Sequence, residues 1–162
     1  MTNRFTKAAL AATVAAATFA ANGAQAATAT ADARAQILRQ ITVTKTADLD
    51  FATIVTGAAA STVSITPGGV FVCGVGLTCT GTAAPAAFSI LGTTGQVVTL
   101  ASDATVTLTS GANTMTAALA ATAGPMTLDG TDSFNVGGVL AVGANQADGA
   151  YLGTFTVTVN YQ

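Results

Sequence analysis

The sequence predicts an all-β protein, an antiparallel β-sandwich, on three observations. Short runs of Val, Thr and Ile alternate with polar residues, the period of strands buried on one face. Turn residues punctuate those runs at spacings near ten residues, which suits a sandwich better than a βαβ fold. The one rival helical stretch, Ala117 to Ala123, contains Thr and runs into Gly124-Pro125, so it reads as a loop or a single turn.

Along the chain, Thr42-Val43-Thr44 opens a strand and Leu49-Asp50-Phe51 a short second one. Thr62 to Thr66 alternates cleanly and stops at Pro67-Gly68-Gly69, a turn from which Val70 to Cys73 returns as its partner. Ala87 to Leu91 ends at Gly92; Gln96 to Leu100 and Thr105 to Thr109 follow. Thr114 to Ala117 is a softer segment. Ser133 to Val136 and Val139 to Val142 flank Gly137-Gly138, and the chain closes with Tyr151 to Tyr161. There is no repeat of fixed period and no linker long enough to divide the chain downstream of its N-terminal segment.

Composition excludes several functions. Charged residues are 7% of the 162, against about 25% in ordinary soluble domains. Five Lys and Arg are too few for a nucleic-acid binder, which works by displacing counterions. His and Glu are absent, and Cys is scarce, so acid–base and metal chemistry lack their usual groups. No Ser lies in a G-x-S-x-G setting, and Gly68-Gly69 and Gly137-Gly138 are not followed by the Lys of a phosphate loop. No catalytic residue and no cofactor are therefore expected, and the chain is not read as an enzyme. Asp48 with Asp50, and Asp129 with Asp132, are oxygen pairs that calcium could use. No twelve-residue loop pattern accompanies them, the commoner role of such Asp is turn formation, and no metal is expected.

Residues 1–26 read as a secretory signal peptide. Arg4 and Lys7 precede the apolar run Ala8 to Ala21, and Ala24-Gln25-Ala26 is a small-x-small cleavage site. The alternative is a buried N-terminal helix; the run is too short for a membrane span, which needs about 20 residues. After cleavage Arg34, Arg39 and Lys45 stand against seven Asp, a net charge of −4, and no membrane span remains. Export implies an oxidising compartment, in which Cys73 and Cys79 can pair across Gly74 to Thr78 as a structural disulfide. The other reading, a free redox pair or half a metal site, lacks a further ligand and CxxC spacing.

Both ends of the exported chain alternate. Tyr151, Phe155, Val157, Val159 and Tyr161 are odd-numbered, Gly153 continues the series, and the even positions from Thr154 to Asn160 are polar. Period two puts every large apolar group on one sheet face, as in any last core strand. Here the series also follows Gly149, fourteenth from the end, and closes on a penultimate Tyr. At the other end Ala27, Ala29, Ala31, Ala33, Ala35 and Ile37 alternate with polar residues. That segment is either a frayed tail or a strand small enough to slide into a preformed groove.

Ile41 to Phe51, Gly130 to Gly138, Val142 to Gln146 and Gly149 through Tyr161 together carry a family likeness that spans essentially the whole exported chain. On these residues the sequence resembles the DUF4402 domain of exported proteobacterial proteins. More distantly, the Leu49-Asp50-Phe51 segment and the C-terminal pattern resemble chaperone–usher fimbrial subunits, including spore-coat-U-like pilins. This second resemblance implies an immunoglobulin-like sandwich lacking its last strand. It implies that 27–37 is an N-terminal donor strand (Ala27, Ala29, Ala31, Ala33, Ala35 and Ile37 facing inward) and that 38–162 is the sandwich. It implies that Gly149, Tyr151, Phe155, Val157, Val159 and Tyr161 line or border the acceptor groove, where a chaperone also binds. A periplasmic chaperone and an outer-membrane usher, and then copies of the chain or related subunits, are the partners implied. The chain would cross the inner membrane, pass through the periplasm and end in a surface fibre of the kind used in cell adhesion. The competing expectation is a self-contained exported sandwich that binds a ligand or partner without polymerising.

Overall fold

The computed structural model describes residues 26–122 and 124–162, and these contain no helix. The predicted signal peptide falls almost wholly on residues 1–25, outside the described residues. The strands in chain order are β1 (Thr42–Ala47), β2 (Thr53–Val55), β3 (Ser61–Ile65), β4 (Phe71–Cys73), β5 (Thr78–Thr80) and β6 (Ala86–Leu91). They continue with β7 (Val97–Ser102), β8 (Thr105–Ser110), β9 (Asn113–Ala121), β10 (Met126–Thr127), β11 (Thr131–Val142) and β12 (Val157–Tyr161). All pairings are antiparallel, and the chain is an all-β, sandwich-like fold.

β11 organises the larger sheet. Its first half, Thr131–Val136, pairs with β6, and β6 pairs with β1. Its second half, Gly138–Val142, pairs with β3, and β3 with β4. Val136–Ala141 also pairs with β9, which forms a hairpin with β8. The smaller sheet is β10-β7-β12, and β2 with β5 makes a separate ribbon.

The period of two decides which side chains are inside. On β11 the even residues Phe134, Val136, Leu140 and Val142 are buried. Phe134 and Val136 join Phe88, Ile90, Val98 and Leu128 in one cluster. Leu140 and Val142 join Phe51, Val63, Ile65 and Val106 in a second. No charged or polar residue is buried among those described, so the interior is apolar throughout.

Three sequence expectations are corrected. Ala117 to Ala121 is strand, not loop: it lies in β9 between β8 and β11, and Ala117 is fully buried. β11 pairs along Thr116–Ala121 and β8 along Asn113–Ala118, and this tertiary pairing outweighs the helical leaning of Ala. The runs around Gly137-Gly138 are one strand of 12 residues. A Cβ on Gly137 would lie 2.2 Å from the Ile65 carbonyl oxygen, so Gly permits the close approach of β3 rather than marking a turn. The second strand lies at Thr53–Val55, because Leu49-Asp50-Phe51 makes only a bridge from Asp50 to Ala84 while Phe51 turns into the core.

Cys73 and Cys79 form a disulfide, with Cα atoms 6.0 Å apart, that ties the end of β4 to β5. It closes a short loop and so constrains the unfolded chain modestly. Replacing both by Ser should lower the unfolding free energy by about 2 kcal/mol, read as an earlier urea midpoint at unchanged slope.

Candidate functional site

The C-terminal segment from Gly149 to Tyr161 is only partly paired. At its start, Leu152 exchanges two backbone hydrogen bonds with Thr109 of β8. It then crosses to the smaller sheet and pairs with β7 from Val157 onward. Gly153 sits at that crossing, where a Cβ would lie 2.4 Å from the Thr107 carbonyl oxygen. Gly149 has φ +149°, and a Cβ there would meet the Ser110 hydroxyl at 2.3 Å. The two glycines let the segment lie flat against β8.

β12 has one neighbour only among the described strands. The Gln162 N–H donates to the Val97 carbonyl and the Asp103 N–H to the Thr156 carbonyl. The bonded pairs with β7 are therefore the even-numbered residues. The peptide groups of Val157, Val159 and Tyr161 consequently face the opposite edge, where no described strand receives them. β1 likewise pairs only with β6. The two unpaired edges belong to different sheets and flank one cluster: Ile41 and Val43 pack against it from one side, and Phe155, Val157, Val159 and Tyr161 from the other. All five large odd residues of the C-terminal series are half-buried, although their even neighbours are exposed. A closed core strand would bury such residues fully.

A groove of about 1500 Å³ lies along the first part of this segment. One wall is Asp48 to Thr56, the other Gln146 to Phe155. Its floor includes Leu140 and Val142, each 2% exposed, together with Leu108 and Met115. The floor is thus the core itself. A smaller hollow of about 150 Å³ lies past Gly153 to Phe155, toward Lys45, Leu49 and Phe88. The walls carry Asp48, Asp50 and Asp148. Asp48 is paired with Lys45, and the Asp50 carboxylate accepts the Ala52 N–H at 2.7 Å, holding Ala52 at φ 62°.

Two tyrosines pin the ends of the segment. The Tyr151 hydroxyl donates to the Ala147 carbonyl at 2.8 Å and accepts from Gln146 Nε2 at 2.8 Å. The Tyr161 hydroxyl donates to the Arg39 carbonyl at 2.7 Å and accepts the Thr93 N–H at 2.8 Å. The Arg39 N–H in turn donates to Thr93 Oγ1 at 2.7 Å. Tyr161 therefore fastens the end of β12 to the base of the N-terminal extension. The alternation of Tyr151 to Tyr161 predicted their common face but not these bonds.

Of the predicted site residues, Gly149, Tyr151 and Phe155 line the groove, and Val157, Val159 and Tyr161 lie on the unpaired strand beyond it. The predicted donor residues Ala27, Ala29, Ala31, Ala33, Ala35 and Ile37 are all exposed and belong to no strand. Sequence reasoning missed Leu108, Met115, Leu140, Val142 and Gln146, which come from strands and loops distant in the chain. For the four apolar ones the only signal was apolar alternation, which marks any core residue. Elsewhere, the Asp129 N–H donates to the Asp132 carboxylate at 2.9 Å, the geometry of a turn. No group of three or more metal-ligating side chains occurs among the described residues.

A family model, described as a domain of unknown function (DUF4402), matches residues 41–161. No curated protein and no solved structure matches the chain.

Proposed function

The chain belongs to the DUF4402 family, and from that premise and the unpaired edge of β12 we propose that it is a structural subunit of a pilus-like surface fibre assembled by donor-strand exchange. The observation that supports this reading most directly is the pairing of an exposed strand edge with an apolar groove whose floor is the core. An open edge of this kind templates strand addition. The inserted strand would take the peptide groups of Val157, Val159 and Tyr161 and cover the half-buried odd residues. The extension 27–37 is the proposed donor: it is exposed, in no strand and long enough, at about 33 Å extended, to run from Tyr161 back to Tyr151. Insertion into the next copy does not close on itself, so it yields a filament. On the same reading the chain is exported, a periplasmic chaperone lends the strand first, and an outer-membrane usher passes the subunit to the cell surface.

The test compares residues 27–162 with residues 38–162 in detergent, without boiling. The longer chain should run as a ladder and the shorter as a monomer. Monomers from both chains, each with an intact β-sheet spectrum, would sink the reading in favour of a self-contained exported domain.

A further inference from the structure

The groove and the extension are each uneven along their length, and the unevenness fits in one direction. The groove is wide beside Gly149 to Phe155 and narrows to the small hollow before β12. The extension is Ala at its inward positions until Ile37, whose side chain is 93% exposed. Ile37 is the largest exposed apolar side chain in the extension.

Charge has the same polarity. The described cations are Arg34, Arg39 and Lys45, and Lys45 is engaged with Asp48. The remaining two bracket Ile37. Arg34 touches only Asp32, at 3.5 Å with both side chains nearly fully exposed, a contact worth little. The acids Asp50 and Asp148 lie on the walls of the wide end, whereas β12 carries no charge at all.

We propose that Ile37 of a second copy of this chain is the anchor of the inserted strand, seated in the wide end of the groove over Leu108, Met115, Leu140 and Val142, with Arg34 and Arg39 of that copy set against the Asp50 and Asp148 walls. This rests on the strand-exchange reading and fixes its direction and register. The donor runs antiparallel to the C-terminal segment, with Ala27 toward Tyr161. A chain's own extension cannot adopt this arrangement. Its base is held at Arg39 beside Tyr161, so folding back would run it parallel to β12 and leave Ile37 beside Tyr161, away from the wide end of the groove. The occupant is therefore another copy.

The test uses residues 27–162 carrying a benzophenone photo-crosslinker at position 37, mixed with isotope-labelled native chain. Cross-links should join the two isotopic forms and fall on Leu108, Met115 or Tyr151. Cross-links on Val157 to Tyr161, or within one chain, overturn the register while the ladder leaves strand exchange standing. Absence of a ladder from the native chain overturns both. Ile37→Ala should weaken assembly by at least about thirtyfold, the cost of truncating a buried Ile. Raising salt from low to about 0.5 M should slow native assembly by about two- to fivefold. The Arg34→Gln, Arg39→Gln double variant should be slow at low salt and insensitive to it; an unchanged salt response overturns the charge pairing.

Discussion

Val159→Pro should leave a folded monomer that no longer enters multimers. The Val159 peptide group faces the open edge of β12 and bonds to nothing in the described chain, so losing its N–H costs the monomer no ladder hydrogen bond. Proline is tolerated on edge strands in that orientation. Its ring replaces most of the half-buried Val side chain, so monomer stability should fall by only about 1 kcal/mol. Any strand added at that edge would meet a missing donor and a projecting ring, and assembly should drop by at least about tenfold. Thr158→Pro is the matched control. The Thr158 peptide pairs inward with Ala101 of β7, so its loss strikes the fold and should cost at least about 2 kcal/mol. Urea unfolding of the monomer and unboiled gel mobility separate the two variants. Equal ladders from Val159→Pro and the native chain would mean that this edge is not where strands add.

Phe134→Ala should be among the most destabilising substitutions in the chain. Phe134 is 3% exposed on β11, and its ring stacks on Phe88 with centroids 5.1 Å apart. Phe88 meets Phe155 edge-on at 6.3 Å. Truncation removes a buried ring, leaves a cavity between the sheets and loosens the support of Phe155 at the groove. The expected loss is about 3–5 kcal/mol, a large part of the 5–15 kcal/mol typical of whole domains. Urea midpoints measure it directly. Val139→Ala is the contrast: it lies on the same strand, 45% exposed, and should cost less than about 1 kcal/mol. A similar loss from both would place the core elsewhere than between Phe134 and Phe88.

Much of the fold could be read from local alternation. β3, β4, β6, β7 and β8 fall on the apolar-rich runs that turn residues bound in the chain. The common face of Tyr151 to Tyr161 and the Cys73–Cys79 disulfide were legible for similarly local reasons. Two of the three misreadings share one physical cause. Ala117 to Ala121 and Gly137-Gly138 look like breaks because Ala and Gly have weak strand preferences, yet both lie where strands crowd from both sides. Small side chains there answer a demand of packing, which neighbouring residues do not record.

The candidate site divides in the same way. Sequence alone shows an all-β chain poor in charge, without His or Glu, with apolar odd positions at its last strand and small ones near its start. Those features follow from residue chemistry and period two. The pairing of β12 with β7 alone, the core residues Leu140 and Val142 at the groove floor, and the placing of Asp50 and Asp148 on the walls of its wide end are tertiary facts. They depend on which strands lie side by side. A strand does not carry in its own residues whether its second edge has a neighbour, because an unpaired peptide group and a paired one have the same sequence.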